Sequence, residues 1–364
     1  MILHRYLARR FALIILAVFG IFLVMSLFID LIEQARRFGA DTADFGELIK
    51  LTLLNAPKGI YQILPLIIIL STLAFFLGLA RSSEMVVIRA AGRSAIRSLV
   101  APLLVALTFG ILAVGFLNPI VAATSKAYEA ELDDIRNVTS VLSLSDDGLW
   151  LRQGNETAQT VIRAESANLD GTRLTGVSFI TFGLEGKPQR RIEAASALLE
   201  DGAWTLTDAK VWPLSNALNP EAEAVFLPEL QVNSSLTAAQ IRDSFGTPSS
   251  VAIWDLPQFI ERLQAAGFSA RRHQVFLQME LALPIFLVSM VLIGAAFTLR
   301  HQRGGRTSLM VLSAILLSFA IYFLRNFAQI LGENGQIPAM LAAWAPPLIA
   351  IGLSLGLLLH LEDG

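Results

Sequence analysis

Six long apolar stretches, three before a polar insert and three after it, constrain this chain more than any other feature. A bilayer core is crossed by about 20 apolar residues in helical form. Residues 11–29, 60–80, 99–121, 275–299, 308–331 and 337–361 all meet that requirement. The pattern predicts an α-helical integral membrane protein with six transmembrane helices in a 3+3 order, in residues 1–121 and 273–364, around a water-facing domain at 122–272. Charged residues make up only 16% of the chain, against roughly 25% in soluble domains. Arg5, Arg9 and Arg10 precede the first stretch as they would in a signal peptide. Its apolar run is longer than the roughly 7–15 residues of a signal-peptide core, so it reads as a retained anchor.

Several chemistries are excluded at once. A net charge of −2 speaks against a nucleic-acid partner. The absence of cysteine removes thiol catalysis, disulfides and cysteine-ligated metals. His4, His273, His301 and His360 are scattered without metal-ligand spacing. Residues 304–308 lack the spacing and the lysine of a phosphate-binding loop. No catalytic residue, cofactor or metal is therefore expected in this chain, and ATP with its Mg would belong to another subunit.

Basic residues in short loops mark the cytoplasmic side. Arg5, Arg9 and Arg10, then Arg81, Arg89, Arg93 and Arg97, then Arg300, Arg303 and Arg306 fall on one side of a six-span layout. Segment 30–58 carries four basic and five acidic residues. Both termini are thus expected inside and the insert outside. Pro65, Pro102, Pro284, Pro346 and Pro347 within or at the ends of spans read as helix kinks.

The insert changes texture. Turn dipeptides at 147–148, 154–155, 170–171, 185–186 and 201–202 separate β-rich runs at 149–153, 160–164, 173–182, 191–199, 203–212 and 222–232. Regular short strands between turn signals predict an antiparallel sandwich or barrel-like sheet. A helix over 255–267 returns the chain, with Asp255 placed to cap it and Pro257 in its first turn.

Two groups of residues stand out. Segment 81–92 reads as a short helix with Ser82 or Ser83 as N-cap, Glu84 in the first turn and Gly92 at the end. Met85 and Ile88 share one face. Such a helix either docks in a groove on a cytoplasmic partner or lies in the headgroups with Arg81 and Arg89 on lipid phosphates. The second group is near the outer boundary: Asp30, Glu33, Arg36 and Arg37 after the first span, Glu280 in the fourth and Arg325 in the fifth. Ionisable groups at such depth are paired or face a wet cavity. Glu280 with Arg325 suits a salt bridge or a polar cavity, and the arginines suit phosphate. Snorkelling to the headgroups is the plain alternative for Arg36 and Arg37.

Ala56-Pro57-Lys58 leading to Leu64-Pro65, the run from Ala80 to Gly92, Leu149-Trp150, the returning helix and the 3+3 order resemble the lipopolysaccharide export permease family LptF/LptG, LptG the more so, over essentially the whole chain. The resemblance implies a heterodimer with an LptF-like permease subunit on an LptB-like ATPase dimer. It also implies a periplasmic β-jellyroll-like domain that hands lipopolysaccharide to LptC-like and LptA-like jellyroll proteins. Segment 81–92 would then be the coupling helix, with Arg81, Glu84, Met85, Ile88, Arg89 and Gly92 docking on the ATPase. Arg36, Arg37, Glu280 and Arg325 would meet substrate lipid. Where some relatives carry a lysine late in the first span, this chain has Asp30, which makes Arg36 and Arg37 the better candidates. The rival class is a lipoprotein-release or efflux-assembly subunit whose outer domain binds protein. Another alternative, a membrane-bound sensor or scaffold, predicts no stimulation of an ATPase.

Overall fold

The computed structural model describes residues 2–42, 44–84, 95–136, 142–145, 148–154, 158–168, 171–183, 186–200, 202–215, 219–234, 236–237, 241, 247–265, 268–298 and 307–362. The chain forms two compact units. One is helical and contains Met1–Leu132, Ser249–Trp254 and Arg271–Gly364; the other contains Asp133–Pro248 and Asp255–Ala270.

The helical unit contains α1 (Ile2–Thr42), α2 (Phe45–Gln62), α3 (Leu64–Arg81), α4 (Ala95–Leu112), a π-helical segment (Ala113–Leu117) and α5, which starts at Asn118 and continues to Arg136. After the insert come α7 (Arg271–Thr298), α8 (Thr307–Glu333) and α9 (Ala339–Glu362). Among the described residues six helices are long and apolar enough to cross a membrane: Ile2–Phe38, Leu64–Arg81, Arg97–Leu132, Arg271–Thr298, Ser308–Glu333 and Ala339–His360. They correspond to the six expected spans.

Helix α7 is apolar on all sides, as a helix surrounded by others must be. It packs against α3, α4, α8 and α9. Two close approaches bring it near its neighbours. A side chain on Gly110 of α4 would begin 2.6 Å from the Pro284 backbone, and one on Gly294 would begin 2.6 Å from Thr72 of α3. Small residues at such crossings let helix backbones meet in lipid. By contrast α1 is buried only at its two ends, at Leu7, Phe11 and Ile15 and again at Gln34 and Phe38, and Leu16, Ile21, Val24, Phe28 and Ile32 between them are exposed apolar side chains.

The expected second span begins later than residue 60. The chain turns at Ile63 and restarts with Pro65 in the first turn of α3, where a missing N–H costs nothing. Helix α2, which precedes it, was not expected. It starts at Phe45, where the Asp44 N–H donates to the Glu47 carboxylate at 2.9 Å.

The other unit is a seven-stranded antiparallel sheet in sequence order: β1 (Leu142–Ser145), β2 (Gly148–Gly154), β3 (Ala158–Ala167), β4 (Arg173–Gly183), β5 (Pro188–Glu200), β6 (Ala203–Pro213) and β7 (Val225–Asn233). The all-β domain is present, and its connectivity is a plain meander. The sheet curls: Gln153 of β2 donates to the Asn233 carbonyl of β7 at 3.3 Å and accepts from Ser234 at 2.7 Å. Its buried face holds Leu149, Leu151, Ile162, Phe179, Ile192, Trp204 and Leu206. The last strand starts at Val225 instead of 222, because Ala222 and Glu223 fold back onto the Asn219 carbonyl. Helix α6 (Leu256–Ala265) belongs to this unit and buries Leu256, Ile260 and Leu263.

Candidate functional site

Buried polar groups in an apolar bundle need partners, and buried Glu280 gathers two of them from other elements. This carboxylate lies about 13 Å along α7 from its start, at 1.5 Å per residue, and it is 4% exposed. Tyr61, near the end of α2, donates its hydroxyl to it. Asn118 donates an amide N–H to the same oxygen at 3.2 Å. Asn118 is itself 2% exposed, and its carbonyl accepts the Ile253 N–H at 2.9 Å.

The π-helical segment places Asn118. One extra residue in a turn rotates the remainder of the helix and frees a carbonyl. The Trp254 indole N–H reaches the Gly115 carbonyl at 3.3 Å. The short stretch Ser249–Trp254 thereby attaches to the widened turn through Ile253 and Trp254.

Arg325 of α8 faces the same space. It is half-buried, and its guanidinium stands 5.3 Å from the Phe286 ring centre, a cation–π geometry. No direct ion pair joins it to Glu280. Instead both line a cavity of about 130 Å³ with Lys58, Gln62, Asn118 and Gln329. Of the two arrangements expected for this pair, the polar cavity is the one formed. Its carboxylate is occupied by Tyr61 and Asn118, and Arg325 and Lys58 are the cations that line it.

Arg36 and Arg37 do not line this cavity. Both are exposed on α1, with the Arg37 guanidinium 5.7 Å from the Phe38 ring centre. The end of α1 that bears them is tied down by neutral and acidic neighbours. Asn55 of α2 donates to Asp30 at 2.7 Å, and buried Gln34 donates to Tyr128 of α5 at 2.9 Å.

Glu84 lies at the opposite end of α3 from its start at Leu64. Arg10 donates to both of its carboxylate oxygens at 2.7 and 2.8 Å, Tyr6 donates at 3.0 Å and Ser82 at 2.7 Å. The hydrogen bonds from Arg10 first, and Ser82 next, hold this carboxyl below the usual carboxylate range. Ser82 closes α3, its N–H and hydroxyl both meeting the Gly78 carbonyl. Its hydroxyl also lies 2.7 Å from a Glu84 carboxylate oxygen, and the helix that Ser82 or Ser83 was expected to cap falls outside the described residues. Arg81 is exposed at the end of α3. Met85, Ile88, Arg89 and Gly92 lie outside the described residues.

Tyr61, Asn118 and Trp254 do not stand out in the sequence. An asparagine next to a proline inside an apolar run, at Asn118-Pro119, is the one available signal for these three residues.

Six apolar helices among the described residues, with an antiparallel β unit inserted between the third and fourth, define a multi-pass membrane protein with an inserted β domain. The chain matches the family described as lipopolysaccharide export system permease LptF/LptG over residues 5–360. It belongs to that family. It is similar to the lipopolysaccharide export system permease protein LptG of Haemophilus influenzae, with 23% identity over 99% of each chain. The protein of the same name from Escherichia coli K12 is 24% identical over 99% of this chain and 98% of its own.

Proposed function

We propose that this chain is the membrane-embedded subunit of an ATP-driven exporter that takes lipopolysaccharide sideways from the outer leaflet of the inner membrane. The β unit is periplasmic and passes the lipid to LptC-like and LptA-like jellyroll proteins. An LptF-like subunit completes the membrane path, and an LptB-like ATPase dimer binds ATP and Mg. Arg81, Glu84, Met85, Ile88, Arg89 and Gly92 form the docking segment for that ATPase.

The observation that carries this reading is Arg325. It is a cation without an ion-pair partner among the described residues, aimed into a cavity inside an apolar bundle. A guanidinium in that position suits a lipid phosphate. Glu280, fixed by Tyr61 and Asn118, meets the same headgroup and holds the site open. Arg36 and Arg37 contact headgroups from the surface of α1. Each buried CH₂ of the lipid contributes about 0.8 kcal/mol to its membrane affinity. Extraction of several chains is therefore steeply uphill and requires the external motor.

A photo-crosslinking residue at position 325 or 36, in the reconstituted complex, is expected to capture labelled lipopolysaccharide. Arg325→Ala is expected to reduce capture at 36 and transport by about tenfold, the scale of one lost charged hydrogen-bond set. A purified complex carrying a lipoprotein and no phosphorylated glycolipid overturns the proposal in favour of lipoprotein release.

A further inference from the structure

The proposed lipid site makes no use of the polar cluster around Glu84, and that cluster has its own logic. Helix α3 ends at Arg81, and Ser83 then adopts φ +56°, a left-handed conformation usually left to glycine. This turn sends the chain back towards α1. Glu84 lands against Arg10 and Tyr6, which are 74 and 78 residues earlier. Arg10 is held on several sides: its guanidinium lies 5.9 Å from the Tyr6 ring centre, donates to the Tyr6 hydroxyl at 2.8 Å and passes 3.7 Å from where a Gly78 side chain would begin. Arg10 and Glu84 are each about one-third exposed, at 30% and 32%. The set of charge-assisted bonds is therefore drier and more constrained than an isolated surface pair.

Helix α1 is built as a lever from this point. Phe11 packs on Phe75 of α3 at 5.2 Å between ring centres, and no described side chain of α1 between Ile15 and Gln34 is fully buried. The same helix continues without a break to Thr42. Arg36 lies about 39 Å further along it than Arg10, at 1.5 Å per residue. Beyond its exposed middle, α1 meets α2 and α5 through Asp30–Asn55 and Gln34–Tyr128.

We infer that Arg10 and Tyr6 are positioning residues that fasten Glu84, where the proposed docking segment continues, to the first membrane helix, so that displacement of Glu84 is handed to α1 and carried to the end bearing Arg36 and Arg37. This rests on the reading that a partner ATPase moves that segment. Glu84 then has two duties, and its inward-facing one is the transmission.

The test is the reconstituted full assembly, with ATPase association, ATP turnover and lipopolysaccharide release measured separately. Arg10→Ala is expected to keep ATPase association and turnover while release per ATP falls about tenfold, as for loss of one charged hydrogen-bond set. Tyr6→Phe is expected to fall between Arg10→Ala and the parental chain. Arg10→Lys keeps the cation and is expected to retain most coupling, which separates a transmission defect from misfolding. In a double-mutant cycle with Glu84→Gln, the release defects are expected to be non-additive. The inference is overturned if Arg10→Ala releases the parental amount of lipid per ATP, if its defect is lost ATPase association, or if the two defects simply add. A parental chain that recruits and stimulates no ATPase instead sinks the exporter reading on which the inference stands.

Discussion

At the scale of single residues, charge placement in this chain follows what each carboxylate can gather around it. Glu280 sits among apolar helices with two neutral donors, Tyr61 and Asn118, and a cation at cavity distance. Glu84 sits near the rim with an arginine in direct contact. That contact holds the Glu84 carboxyl below its ordinary range, so the charged form is favoured in the folded chain. The sign follows from linkage: a depressed carboxylate contributes above its unfolded value and loses the contribution as pH falls through the folded one. The Arg10–Glu84–Tyr6 set is therefore intact at neutral pH and opens only in acid, below the ordinary glutamate range. With four tyrosines in the chain, 3-fluorotyrosine NMR can follow Tyr6, assigned by Tyr6→Phe. Its resonance is expected to titrate with a midpoint below that of an unperturbed glutamate, and Glu84→Gln is expected to abolish the step. A midpoint at or above the ordinary value contradicts the contact.

At the scale of elements, the β unit contains a crease. Leu174, Ala197 and Leu206 are buried on one side of it, and Val177, Ala194 and Ala209 on the other, so the in–out alternation slips by one in three adjacent strands. The slip falls at Gly176 and Asp208, with φ +60° and +55°, and ladder pairing is interrupted opposite them. A left-handed residue within a strand reverses which face the next side chain takes, and glycine does so without a Cβ penalty. Gly176→Val is expected to destabilise the β unit by about 1–3 kcal/mol, whereas Asp208→Gly is expected to be neutral or stabilising. Thermal unfolding of the full chain, followed by near-UV circular dichroism of buried Trp204, measures both. This crease is invisible in the sequence because alternation on each side of it reads as an ordinary strand. Strand β1 escapes for a different reason, since four residues alternating leucine and serine carry too short a signal. Helix α2 is hidden because a charge tally over 30–58 treats the segment as a loop. Glu280 and Arg325 are legible because ionisable residues in apolar runs are costly. Tyr61 and Asn118 are not, because neutral polar residues in such runs are common and their pairing spans 219 and 162 positions. Arg36 and Arg37 match that pair by depth, but depth leaves open which way a helix face points.

At the scale of the whole molecule, hydrogen bonds and close contacts sort the loops of the helical unit by end. The Arg10–Glu84 pair joins the start of α1 to the finish of α3. At the other end, the turn after α8 meets the start of α7, where Arg271 lies 2.9 Å from where a Gly335 side chain would begin. An alternating path through six spans therefore has two consistent faces, and the arginines near α1, α3 and α4 gather at one of them. Positive charge in short loops resists translocation, so the proposed topology puts that face in the cytosol and the Gly335 face in the periplasm. The chain has no cysteine, so single introduced thiols report their side without background. Ile2→Cys, at 89% exposure, marks one end; Gln336→Cys marks the other, and Glu200→Cys, at the exposed end of β5, marks the β unit. With a membrane-impermeant thiol reagent on cells whose outer membrane is permeabilised, Gln336→Cys and Glu200→Cys are expected to label. Ile2→Cys is expected to label only after lysis. Labelling of Ile2→Cys in intact spheroplasts, or protection of Glu200→Cys, reverses the orientation and places the β unit where no periplasmic acceptor can meet it.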